Sequence, residues 1–128
     1  MIDIRSEVEE AEKRIRQYIR ETPLELSYTI GDLYSSSVFL KLENFQHTGS
    51  FKVRGALNKL LSLPDDEKIN GVVTASTGNH ALAVAFGLKK LGIPGTIFLP
   101  DNVSKTKRQK LERFDVDVEL RPGDPEAV

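Results

Sequence analysis

An α/β fold on an open parallel sheet, with helices on both of its faces, is predicted by two features of the sequence. Short β-branched runs alternate with helical stripes from residue 37 to residue 120, and the length of 128 residues amounts to about one ordinary domain. At residues 6–20, Val8, Ala11, Ile15, Tyr18 and Ile19 recur at helical spacing, and Ser6 and Glu9 have the form of a capping box. Acidic residues open this segment and arginines close it, as the helix dipole favours, and Pro23 stops the helix near Glu21. A first strand is expected from Leu24, and residues 37–42 alternate enough for another. Residues 71–76, 95–99 and 116–120 are short apolar or β-branched runs of strand length. Between them, Val53, Ala56, Leu57, Leu60 and Leu61 form the stripe of a helix buried on one face, followed by Pro64. Residues 78–91 are small and apolar nearly all round, as in a helix pressed close to a sheet, and Gly92 ends them. Residues 104–114 form a third helix, with Ser104 as a good N-cap and Lys105, Lys107, Arg108, Lys110 and Arg113 over most of its surface. From residue 37 onward the order is strand, helix, strand, helix, strand, helix, strand, which implies parallel strands with right-handed crossovers.

Composition excludes several classes. With 39% hydrophobic and 29% charged residues the chain can bury a core, and 18 basic against 19 acidic residues leave no net positive field for nucleic acid or an anionic membrane. The absence of cysteine removes disulfides and thiolate chemistry and suits a reducing compartment. The longest apolar stretch, 81–88, is far short of the roughly 20 residues that span a bilayer. A cytoplasmic protein with no nucleic-acid or membrane partner is expected.

Two polar turns could carry chemistry, because ligands of open parallel sheets collect beyond the strand carboxyl ends, where helix amino termini present free donors. The first, residues 46–52, places Lys52 at the start of a helix. A cation there opposes the dipole by about 0.3–1 kcal/mol. The same field, with partial burial, would lower the amine's pKa and favour the neutral nucleophile that Schiff-base chemistry needs. A solvated surface lysine is the plain alternative. The second turn, residues 76–80, follows a strand and opens the small-residue helix. The hydroxyls of Ser76 and Thr77, the amides around Gly78 and the carboxamide of Asn79 form a cradle suited to a carboxylate or phosphate. N-capping by Ser76 or Thr77 explains either residue alone about as well. His80 and His47 are the only histidines and do not have metal-ligand spacing, so no metal site is expected.

Together, residues 41–56 (Lys-Leu-Glu-Asn-Phe-Gln-His-Thr-Gly-Ser-Phe-Lys-Val-Arg-Gly-Ala) and 75–81 (Ala-Ser-Thr-Gly-Asn-His-Ala) resemble the serine/threonine dehydratase group of the fold type II pyridoxal-phosphate enzymes. Leu99-Pro100 and residues 104–107 follow as in that group, so the resemblance covers almost the whole chain. It implies a pyridoxal 5'-phosphate cofactor bound as a Schiff base by Lys52, which then shuttles the α-proton. Phe51 would pack on the cofactor ring and Asn79 would hydrogen-bond the ring oxygen. Ser76, Thr77, Gly78, Asn79 and His80 would hold the carboxylate of a small amino-acid substrate, with threonine foremost and serine next. Thr77 departs from the alanine or serine common there. Its extra hydroxyl leaves open a proton donor on the other ring face, and with it racemisation or an ectoine-pathway or hydroxyaspartate relative.

The resemblance further implies that residues 1–40 belong to a larger domain and residues 41–128 form a small α/β domain. Chains of that group are more than twice as long and hold the cofactor phosphate on a later glycine-rich loop. The nine glycines here include no adjacent pair. A lyase piece completed by a missing carboxy-terminal half or a homo-oligomer is therefore the first reading. A non-catalytic α/β module is the second. In the latter the apolar stripe of helix 6–20 would lie exposed and favour self-association. A generic nucleotide-binding domain ranks last, since no Gly-x-Gly-x-x-Gly or Walker pattern is present.

Overall fold

The protein is described by a computed structural model over residues 3–122. Helix α1 (Ile4–Ile15) runs into a 3-10 turn (Arg16–Tyr18), and the rest follows as β1 (Leu24–Leu26), α2 (Tyr28–Tyr34), β2 (Phe39–Lys41), a 3-10 turn (Glu43–Phe45), α3 (Lys52–Ser62), α4 (Asp65–Asn70), β3 (Val72–Ala75), α5 (Asn79–Leu91), β4 (Gly95–Pro100), α6 (Lys105–Glu112) and β5 (Asp117–Arg121). Strands β3, β4 and β5 form a parallel sheet in that order, with Thr74 opposite Ile97 and Ile97 opposite Val118. Among the described residues no helix is long and apolar enough to cross a membrane.

Several expectations need correction. Residues 37–42 do not lead into the parallel sheet: β2 pairs antiparallel with β1, Leu24 opposite Lys41 and Leu26 opposite Phe39. Bonds from Ser27 N to Val38 O (2.8 Å) and from Leu42 N to Pro23 O (3.0 Å) extend that ladder at both ends, so its partners are used locally. Helix α1 starts earlier than predicted. Its cap is Asp3, whose carboxylate accepts from Arg5 N at 3.1 Å, and Ser6 lies inside the helix. Helices α2 and α4 were not foreseen. Ser27 caps the first, and three acidic residues after Pro64 fill the opening turn of the second.

Two apolar clusters share α5. One gathers Ile15 of α1, Val53, Ala56, Leu57 and Leu60 of α3, and Ala83, Val84 and Leu88 of α5, with Tyr18 and Ile19 packed against it. The stripe of the first helix is therefore not left wholly exposed: its carboxy-terminal end rests on α3, while Ile4 and Val8 remain in solvent. The other cluster joins Ala81 and Ala85 of α5, Ile97 and Leu99 of β4 and Leu111 of α6. Both crossover helices thus lie on the face of Ile97 and Leu99, as two right-handed crossovers in one direction require, and Val73 on the opposite face is 70% exposed.

Glycines set the close approaches. A Cβ at Gly87 would stand 2.5 Å from Leu60 Cδ1, which lets α5 lie directly on α3. A Cβ at Gly95 would collide with the Val72 carbonyl oxygen and stand 2.7 Å from Leu88 Cδ1. Because backbone cannot yield as a side-chain end can, Gly95→Ala is expected to destabilise by about 1–3 kcal/mol. Gly55→Ala, whose Cβ meets nothing within 4 Å, should stabilise α3 by about 0.5–1 kcal/mol. Urea midpoints shifting in opposite directions would bear this out, and equal midpoints would refute it.

Candidate active site

The lysine turn is built from the first residue of α3 backward. Phe51 occupies the N-cap position without a side-chain cap, Lys52 is the first helical residue, and Gly49 turns the chain at φ +72°. Phe51 is 59% exposed and the Lys52 ammonium lies 5.2 Å from the centre of its ring. The partly buried amine expected at Lys52 is corrected to an exposed one, because nothing within residues 3–122 covers the Phe51–Lys52 corner. Behind it, Ser50 is 8% exposed, and the hydroxyls of Thr48 and Ser50 are buried with no hydrogen-bond partner. His47 stacks on Phe86 at 5.0 Å, and burial, then the positive charges of Arg20 and Lys90, hold its imidazole below the usual histidine value.

The base of this turn is fastened by side chains that pattern reading passed over. Arg54 grips Glu43 through two hydrogen bonds, Nε to Oε2 at 2.9 Å and Nη2 to Oε1 at 2.8 Å. The Thr22 hydroxyl donates to Glu43 Oε1 at 2.6 Å, and Lys41 Nζ donates to the Thr22 carbonyl at 2.6 Å. Beside it, buried Gln46 accepts from Arg20 N (3.0 Å) and His47 N (3.1 Å) and donates to the Arg20 carbonyl (2.9 Å). Their only signal in the sequence is that polar residue types cluster at 41–54 ahead of an apolar stripe.

The second turn leaves β3 and opens α5. Ser76 N donates to the Phe98 carbonyl at 3.4 Å, which carries the sheet ladder one residue further, and Ser76 Oγ accepts from Gly78 N at 3.3 Å. That bond occupies the Gly78 amide that the sequence reading left free. Gly78 is the N-cap of α5, and no side chain caps the helix. The cap expected from Ser76 or Thr77 is therefore absent, and the opening amides of α5 stay available as donors. Ser76 and Thr77 are half-buried, while Gly78, Asn79 and His80 are exposed. A cavity of about 120 Å³ here is lined by Thr77, Gly78, Asn79, Leu82, Lys110 and Leu111, and Lys52 is not among them. Among the described residues no group of three or more His, Cys, Asp or Glu side chains could hold a metal.

The two turns therefore head helices that pack on one another, α3 and α5. One offers a primary amine beside an exposed ring, with two buried hydroxyls behind it. The other offers uncapped amides, hydroxyls and a carboxamide. Such a set fits the aldehyde and ring of an aromatic aldehyde cofactor on one side and a carboxylate on the other. Among the described residues no glycine-rich loop is present for a phosphate.

A family model described as pyridoxal-phosphate dependent enzyme matches residues 15–128, and the chain belongs to that family. It is 45% identical over 116 residues to the catabolic L-threonine dehydratase TdcB of Staphylococcus aureus strain USA300, covering 90% of this chain and 34% of that one. It is 42% identical over 126 residues to a serine racemase of Oryza sativa subsp. indica, covering 93% and 37%. Among solved structures, maize serine racemase superposes with a TM-score of 0.87 at 36% identity, over 94% of this chain and 37% of that one. The processed form of threonine deaminase isoform 2 from Solanum lycopersicum gives 0.80 at 30% identity, over 94% and 37%. The chain thus spans about a third of the length of the relatives it matches. The fold type II pyridoxal-phosphate class expected from the sequence holds.

Hydrogen bonds from Arg54, with smaller help from Thr22 and the charges of Arg54 and Lys41, hold the Glu43 carboxyl below its ordinary value of 4.5, against the opposing effect of burial. A folded value below the unfolded one gives stability that is complete above about pH 4.5 and is lost as the pH falls through the lower folded value. Glu43→Gln should accordingly lower the unfolding midpoint at neutral pH and flatten its fall on acidification. Arg54→Met, which strands a carboxylate only 16% exposed, should cost roughly 1.5–3 kcal/mol at neutral pH. Identical acid profiles for wild type and Glu43→Gln would refute the assignment.

Proposed function

We propose that this chain is the amino-terminal part of a pyridoxal-phosphate-dependent dehydratase that converts a β-hydroxy amino acid, threonine first and serine next, to a 2-oxo acid and ammonia. The observation that carries the reading is the pairing of an amine turn and an uncapped anion turn at the heads of two packed helices. In this reading Lys52 would hold the cofactor aldehyde through its amine, and its Nζ would take the α-proton of the substrate. Phe51 would cover the ring, and the Asn79 carboxamide would donate to the ring oxygen. The hydroxyls of Ser76 and Thr77 and the amides at the start of α5 grip the substrate carboxylate, with Gly78 and His80 completing the turn. This grip sets the direction of the Cα–H bond toward Lys52. The cofactor, when bound, supplies a sink for the electron pair that the departing proton leaves. Water is lost across Cα–Cβ and regained on hydrolysis, so the net products are the 2-oxo acid and ammonia.

The phosphate in this reading is held by the remaining two thirds of the fold, supplied by further residues or by another chain. A second reading, racemisation, is favoured by Thr77, which lines the same cavity as Asn79 and whose hydroxyl would return a proton to the opposite face. The similarity to serine racemases supports it as well.

The chain mixed with pyridoxal phosphate and reduced with borohydride should carry the label at Lys52 in preference to other lysines, and Lys52→Ala should abolish that peptide's label. Labelling spread evenly over the exposed lysines would overturn the reading. Supplemented with the carboxy-terminal part of a threonine dehydratase, the chain should yield 2-oxobutanoate from threonine. D-serine formed from L-serine, with no 2-oxo acid, would favour the second reading instead.

A further inference from the structure

We infer that Glu43, Arg54 and Thr22 are positioning residues for Lys52: their hydrogen-bonded cluster sets the direction in which the amine leaves α3. The inference rests on the proposed function, since it concerns what Lys52 is held for. Glu43 and Arg54 lie eleven residues apart and close the base of the loop that carries Lys52. The bidentate contact fixes a plane as well as a distance, which a single hydrogen bond would not. Two residues of α-helix turn through about 200°. With Arg54 drawn inward against Glu43, the Lys52 side chain therefore leaves the helix on nearly the opposite, exposed side. Thr22, 4% exposed, completes the cluster by donating to Glu43 Oε1 from the segment that follows α1. The aim of the lysine is thus referred to a part of the chain outside its own loop.

Stability alone does not account for this cluster. A half-buried ion pair adds little over apolar residues of the same volume. The body of α3 is already held by Val53, Leu57 and Leu60, each at most 2% exposed in the core. What the cluster adds is the rotational setting of the first turn. Arg54→Lys keeps the charge and loses the fork, Thr22→Val removes the hydroxyl at nearly constant volume, and Thr22→Ser restores it.

The test uses the 128-residue chain with pyridoxal phosphate and borohydride, reading the ratio of label at Lys52 to label at exposed Lys105 and Lys110 of the same molecules. Far-UV circular dichroism confirms that each variant is folded. Wild type and Thr22→Ser should share a high ratio, and Arg54→Lys and Thr22→Val should lose it by roughly tenfold. Either of those two variants serves if the other fails to fold. A wild-type ratio in both, or an equal loss in Thr22→Ser and Thr22→Val, would overturn the positioning role. No preference for Lys52 in the wild type would instead overturn the proposed function, leaving the two failures distinguishable.

Discussion

The contact on which the arrangement most depends is the forked hydrogen bond between Arg54 and Glu43, with the Thr22 hydroxyl on the same carboxylate. It ties three stretches of chain, of which the β1–β2 ladder joins only the first two: the segment before β1, the 3-10 turn at Glu43–Phe45, and the first turn of α3. Gln46 repeats the tie a few residues away through both ends of its carboxamide. A turn this polar leaves little room for apolar contacts. Hydrogen bonds of fixed direction take the place of packing there.

The other turn is held by different means. Ser76 continues the ladder onto β4, and the amino end of α5 is carried by a helix whose small residues fit between α3 and the sheet. Gly87 brings the backbone of α5 against Leu60, and Gly95 brings β4 beside Val72. Here close packing does the positioning, and polar groups are left unpaired at the helix start. Both turns fall within residues 15–128, the stretch that matches the pyridoxal-phosphate family.

Much of the fold was legible because α3, α5 and β3–β5 are periodic over enough residues for one face to stand out. Helices α2 and α4, seven and six residues long, are too short to show a stripe. The partner of β2 was unreadable because alternation within a strand says nothing about which neighbour it pairs with or in which direction. Both candidate turns were found at helix starts, where polar residues precede an apolar run. The sequence left open whether Lys52 is sheltered or solvated, since burial depends on what lies across the turn and not on the turn. The cluster of Thr22, Glu43 and Arg54 was passed over for a related reason. Charges eleven residues apart look like ordinary surface groups until folding brings them together.

Helix α5 contributes Ala83, Val84 and Leu88 to one apolar cluster and Ala81 and Ala85 to the other. Neither cluster can lose this helix without opening the second, so melting of the sheet and of the α1–α3 layer is coupled through one element. Residues 76–80 ride at the head of that shared element, so the placement of their turn depends on both clusters at once. By contrast, β1 and β2 belong to neither cluster and are held to the rest at their base, through the hydrogen bonds of Thr22, Lys41 and Glu43.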